Sequence, residues 1–190
     1  MFNEIKLENF VIVGIDPGIS HMGLSAMSVT PDLSKVTSIS AKTIHGDDAD
    51  LDIPSSSFID DRFCKILHHD RSLTRWIKMY KPSYVIYERP FIHGSRPTAY
   101  GALVESICCI KNAVYKCSPF IDIHEYTPLT IKKSVSAHNF KGKEFMTEAL
   151  VNIPEIYNLI RNQMDNLDEH SIDSIAIAYT HLKNLRDGLV

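Results

Sequence analysis

The stretch Val11-Ile-Val-Gly-Ile-Asp16-Pro-Gly18-Ile-Ser-His-Met-Gly23-Leu-Ser-Ala decides the fold. Four β-branched apolar residues around Gly14 run into one carboxylate, a Pro-Gly turn follows at once, and a second apolar run begins at Leu24. The pattern predicts a buried hairpin with an acid at its corner. Buried, ionised and unpaired, such an acid would cost roughly several kcal/mol, so Asp16 requires water or a partner. A metal ion would serve, provided that the rest of the chain supplies further ligands.

At 190 residues the chain suits one domain, residues 1–190, able to bury a core without staples. Its 44% hydrophobic and 23% charged residues are the proportions of a globular protein and exclude disordered and fibrous classes. No apolar run approaches the ~20 residues that span a bilayer, and Glu4 and Glu8 do not suit a signal peptide, so a cytoplasmic protein is expected. Cys64, Cys108, Cys109 and Cys117 show no zinc spacing and read as reduced thiols. The net charge of −3 argues mildly against nucleic-acid binding, but charge is unevenly spread.

Outward from the hairpin, Val36 to Thr43 reads as a third strand, and His45 to Ser57 as an acidic loop. Ile59 to Tyr80 has helical periodicity with a break near His69-Asp70, and Arg62 to Lys81 holds six Lys/Arg against one acid. Tyr84 to Tyr87 is a short buried strand that delivers Glu88 at its carboxyl end. A helix over Thr98 to Lys116, a strand over Pro119 to Glu125, and helices from Thr127 and over Lys143 to Asn152 follow. Asp168 fits as the N-cap of a last helix. An antiparallel hairpin group feeding parallel βαβ units predicts an α/β fold, a mixed sheet with helices on both faces.

Asp16 and Glu88 thus stand at the carboxyl ends of buried strands, where ligands gather in such sheets. His170 and Asp173, three apart, share one face of the last helix's first turn. Asp16, Glu88, Asp173 and an imidazole form an oxygen-rich set of the kind that holds two Mg²⁺ or Mn²⁺ ions and hydrolyses phosphodiesters. Singly each has a plain alternative: a turn cap for Asp16, an ion pair of Glu88 with Arg89 or Arg96, dipole-favoured first-turn residues for the last two. The carboxylates are expected to titrate below His170, which would leave the acid limb of activity to the imidazole.

Gly14-Ile-Asp16-Pro-Gly18 with Gly23, Val85-Ile-Tyr-Glu88-Arg-Pro-Phe91, Ile131-Lys132-Lys133-Ser-Val135 with Lys143, and His170-Ser-Ile-Asp173-Ser-Ile-Ala-Ile-Ala178 resemble, in order and spacing, the RuvC family of Holliday-junction resolvases. The resemblance implies a ribonuclease H-like fold with a five-stranded sheet. It further implies a homodimer using Mg²⁺ or Mn²⁺, two ions per site, that resolves four-way DNA junctions by paired cuts in recombination and repair. Carried over by position, Asp16, Glu88 and Asp173 are the catalytic carboxylates and His170 the fourth ligand, where most members have an acid and some a histidine; Glu169 is the fallback. Phe91 matches an aromatic that stacks in the opened junction, and Lys132 and Lys143 match DNA-backbone lysines, with Lys133 and Lys141 placed to share that work.

The sequence also departs from the family. The acidic run Gly46 to Asp52 has no family counterpart; steering duplex arms and repelling non-specific DNA are two uses for it. The helix after Glu88 carries Val104, Glu105 and Ile107 where bacterial members have smaller residues, so the dimer interface does not carry over as the site does. The divergence suggests a virus-encoded or otherwise distant member. Three readings compete: a related nuclease acting on other branched or hybrid nucleic acids, an actin-like ATPase, which shares a Gly-Ile-Asp-Pro-Gly turn but needs a second phosphate turn, and a catalytically silent junction-binding module.

Overall fold

The computed structural model describes residues 9–48, 60–90, 97–136 and 145–190. Phe91, Arg96, Lys141 and Lys143, and the acidic run beyond residue 48, lie outside them. Strands β1 (Phe10–Asp16), β2 (His21–Val29) and β3 (Val36–His45) form an antiparallel meander, and β4 (Tyr84–Glu88) and β5 (Asp122–Tyr126) extend it in parallel. The five-stranded order is β3-β2-β1-β4-β5, the expected mixed sheet.

Side-chain alternation along the strands sorts the core into two layers. Val13 and Ile15 of β1 and Val85 and Tyr87 of β4 pack with the helices α1 (Asp61–Tyr80) and α2 (Pro97–Cys117). Ile12 and Ile86 turn to the other face, with α3 (Pro128–Ser134), α4 (Phe145–Val151), α5 (Pro154–Ile160) and α6 (Glu169–Arg186). By the same parity Asp16 and Glu88 belong to the α6 face. No helix among the described residues is long and apolar enough to cross a membrane.

Two details differ from expectation. Helix α1 runs unbroken through His69-Asp70, because the His69 ring is itself part of the buried face, its Nε2 2.7 Å from the carbonyl oxygen of Ile19. Helix α5 has no counterpart in the reading above; it begins with Pro154 in its first turn, where the missing N–H costs nothing.

Helix α6 lies directly on the hairpin because two glycines leave room for its backbone. A Cβ on Gly14 would sit 2.1 Å from the Ser174 carbonyl oxygen and 2.8 Å from the Ala178 nitrogen; one on Gly23 would sit 2.0 Å from the His170 carbonyl oxygen. The Ser25 hydroxyl donates to the Ser174 carbonyl across the same seam, at 2.8 Å. Gly14→Ala is therefore expected to destabilise the chain by at least about 2 kcal/mol in urea titrations, since a helix backbone and not a side chain must yield. Gly101 inside α2 has nothing within 4 Å of such a Cβ. Gly101→Ala is expected to stabilise by about 0.5–1 kcal/mol, through helix propensity alone.

Candidate active site

The site stands at the carboxyl ends of β1 and β4, where the register pairs Gly14 with Ile86 and Ile15 with Tyr87. Asp16 and Glu88 come next in their strands, so two carboxylates end adjacent parallel strands on one face. The third arrives from α6, which starts as expected at Asp168: its side chain accepts the Ser171 N–H at 2.9 Å. The Thr43 hydroxyl also donates to Asp168, which ties this cap to β3. The first turn of α6 is thereby fixed over the hairpin, with His170 and Asp173 facing Asp16.

The His170 Nδ1 lies 2.8 Å from Asp16 Oδ2. That hydrogen bond, against the cost of burial, raises the imidazole pKa above its ordinary value. Glu88 is pushed up to about 7 by burial, then by Asp16 and Asp173. Asp173 is also pushed up to about 7, by burial and by Asp16. Burial, and then the neighbouring charge of Asp16, thus lifts Glu88 and Asp173 well above the ordinary carboxylate range. Glu88 makes no ion pair among the described residues, and Arg89 turns instead to Glu125, at 3.4 Å. Lys132 of α3 is close enough to pull both raised carboxyls down, and its ammonium lies 4.6 Å from the centre of the Phe145 ring. Lys133 is exposed on the same helix.

No group of three or more His, Cys, Asp or Glu side chains among the described residues stands in ready-made metal geometry. The donor set nevertheless fits a hard divalent cation. Burial first, and then the neighbouring negative charge, raises two of the three carboxyls; a bound cation relieves both effects, and oxygen donors suit Mg²⁺ and Mn²⁺.

A family comparison agrees with this geometry. The profile of crossover junction endodeoxyribonuclease RuvC matches residues 12–181. The chain belongs to the RuvC family. A RuvC from Thermus thermophilus is 23% identical over 186 residues, 94% of this chain and 96% of that relative. Among solved structures, T. thermophilus RuvC in complex with Holliday junction substrate superposes with a TM-score of 0.69 at 18% identity, covering 94% of this chain and 96% of its own. The yeast mitochondrial Holliday junction resolvase Ydc2 gives 0.61 at 16% identity, over 98% and 87%. These likenesses show the fold shared across the RuvC family.

Two features escaped the sequence reading. His21, the first residue of β2, lays its ring flat on that of His170, and no motif or spacing marks it. The basic face of α1 is partly cancelled: Lys65 pairs with Asp47 at 2.7 Å and with Asp61 at 2.9 Å, and Arg62 pairs with Glu105 at 2.6 Å. Part of the acidic loop therefore spends its charge on α1. Arg71, Arg75 and Lys78, spaced four and three apart on the exposed side, join no ion pair among the described residues.

Proposed function

We propose that this RuvC-family chain is an endodeoxyribonuclease that resolves four-way DNA junctions by paired hydrolytic cuts, one from each protomer of a homodimer, with residues 1–190 forming one nuclease domain. The observation that carries the reading is the meeting of Asp16, Glu88 and Asp173 at one desolvated corner, from two parallel strand ends and a helix start. Mg²⁺ or Mn²⁺, two ions per site held by Asp16, Glu88, Asp173 and His170, would supply an activated water and stabilise the leaving oxygen. The chain's own part is positional: it holds the carboxylates on one face, keeps water from most of their surface, and orients Asp16 through the His170 hydrogen bond.

Lys132, near the carboxylates, and Lys133 on the same helix would meet the DNA backbone together with Lys141 and Lys143, and Phe91 would stack in the opened junction; the unpaired cations of α1 add positive charge to a chain of net charge −3. A dimer is supported by apolar residues left at the surface between α1 and α2, Phe63 and Val104, which are 47% and 37% exposed. Its place of work on this reading is the compartment that holds the DNA, the cytoplasm of a bacterial cell or of a virus-infected host.

The test is a synthetic four-way junction with labelled strand ends, set beside linear duplex of the same sequence, with Mg²⁺. The expected result is symmetric paired nicks in the junction, far faster than any cut in the duplex, with binding that weakens steeply as salt rises. Equal cleavage of both substrates would overturn junction selectivity and leave a general nuclease.

A further inference from the structure

The corner that follows Asp16 is pinned from three directions. The His69 ring of α1 reaches the Ile19 carbonyl oxygen at 2.7 Å, the Ser106 hydroxyl of α2 donates to the Gly18 carbonyl at 3.4 Å, and the Gly46 N–H donates to the Ser20 carbonyl at 2.7 Å. The chain leaves this anchored corner at His21. Its ring lies against that of His170, with centroids 5.2 Å apart and planes within 7°. The cross-strand neighbour His45 meets it edge-on, at 5.1 Å and 88°. Successive ring contacts thus link edge strand β3 to the catalytic corner, and the last ring donates toward Asp16.

From this arrangement we infer that His21 is a positioning residue: a flat plate, held by an anchored corner, that fixes the plane of the His170 imidazole and so aims it at Asp16. His170 sits in the first turn of α6 and is partly exposed, with side-chain accessibility of 30%, so the helix alone does not fix its ring. A ring free to turn about its last torsion loses the line to Asp16. A flat neighbour at stacking distance permits one plane and disfavours the rest. The property that matters is the plate and not the imidazole chemistry of His21, which touches neither Asp16 nor the other carboxylates in any hydrogen bond among the described residues.

The inference rests on the reading of His170 as a working member of the site, and the experiment separates the two. Junction cleavage is measured under single-turnover conditions, with junction affinity measured separately, for the parent chain and for His21→Ala, His21→Phe, His45→Ala and His170→Ala. Nuclear magnetic resonance of the metal-free chains follows the imidazole proton shared between His170 and Asp16. His21→Ala is expected to cut about 10- to 100-fold more slowly at unchanged affinity, as loss of the support of a site residue does, and to lose or broaden the shared-proton signal. His21→Phe keeps a flat plate and is expected to restore both rate and signal, and His45→Ala to fall between.

A loss confined to affinity that Phe does not rescue would overturn the inference and make His21 a DNA contact. A His21→Ala chain with parental rate and signal would overturn it outright. Should His170→Ala cut at the parental rate, the reading of His170 itself fails, whatever the His21 series shows.

Discussion

Asp173→Asn is expected to bind a four-way junction as tightly as the parent chain and to cut it at least about a thousandfold more slowly, an effect of over 4 kcal/mol on the barrier. The side chain keeps its size and its place on α6 and loses only the charge. On the proposed reading binding depends on cations elsewhere, among them Lys132 and Lys133, so gel-shift affinity should survive. Removing a negative charge from the corner could even tighten it slightly. Full activity in this variant would remove Asp173 from the site, and loss of binding together with activity would mean that the substitution had disturbed α6.

The same substitution should stabilise the metal-free protein, in a way that depends on pH. Asp173 is raised from 3.8 to about 7 by burial and by Asp16, and Glu88 from 4.5 to about 7 by burial, Asp16 and Asp173. Between about pH 4 and pH 7 the unfolded chain has released these protons while the folded chain still holds them, so folding stability falls as pH rises across that window. His170, raised by Asp16, works in the same direction, losing its contribution as pH rises through its elevated pKa. The buried His181, held down to about 4, and His69 work oppositely and lose stability as pH falls.

Comparing the parent chain with Asp173→Asn cancels His69 and His181, whose shifts do not involve Asp173. The variant should match the parent near pH 4 and exceed it by on the order of 2–4 kcal/mol at pH 8, read from chemical denaturation. Mn²⁺ should raise the parent's melting temperature at pH 8 and barely at pH 5, where protons compete for the same oxygens, and should do little for the variant. A parent chain equally stable with and without Mn²⁺ at pH 8 would count against a metal at this corner.

The elements that could be read from the sequence are those whose signals are local. The hairpin around Asp16 showed as a β-branched run, a Pro-Gly corner and a second run, and Asp168 declared the start of α6 through its cap. The seven-residue α5 has too few turns for a period to emerge, and β5 spans Asp122–Tyr126 rather than starting at Pro119. The expected break in α1 was a polar residue on a buried face, its Nε2 met by a carbonyl fifty positions away in sequence. In the site, residue types and order were enough to single out three carboxylates that the structure brings together, because metal chemistry restricts which side chains serve. The elevated pKa values of Glu88 and Asp173 and the stacking of His21 arise only when distant segments meet, and no spacing within one segment carries them.

The seam between α6 and the hairpin bears on how such a chain can diverge. At Gly14 and Gly23 main chain faces main chain, and the glycines themselves put no side chain into the gap. Elsewhere in a core, each substitution in one layer forces an answering change in the other, and distances drift as side chains are exchanged. A contact made of backbone has nothing to exchange. The spacing between β1 and α6, and with it the reach from Asp16 to residues 170 and 173, is insulated from turnover of the core around it. A lineage can thus replace three quarters of its residues, as the 23% identity to the Thermus relative implies, and still inherit the same distance across its active site, provided that two glycines are kept.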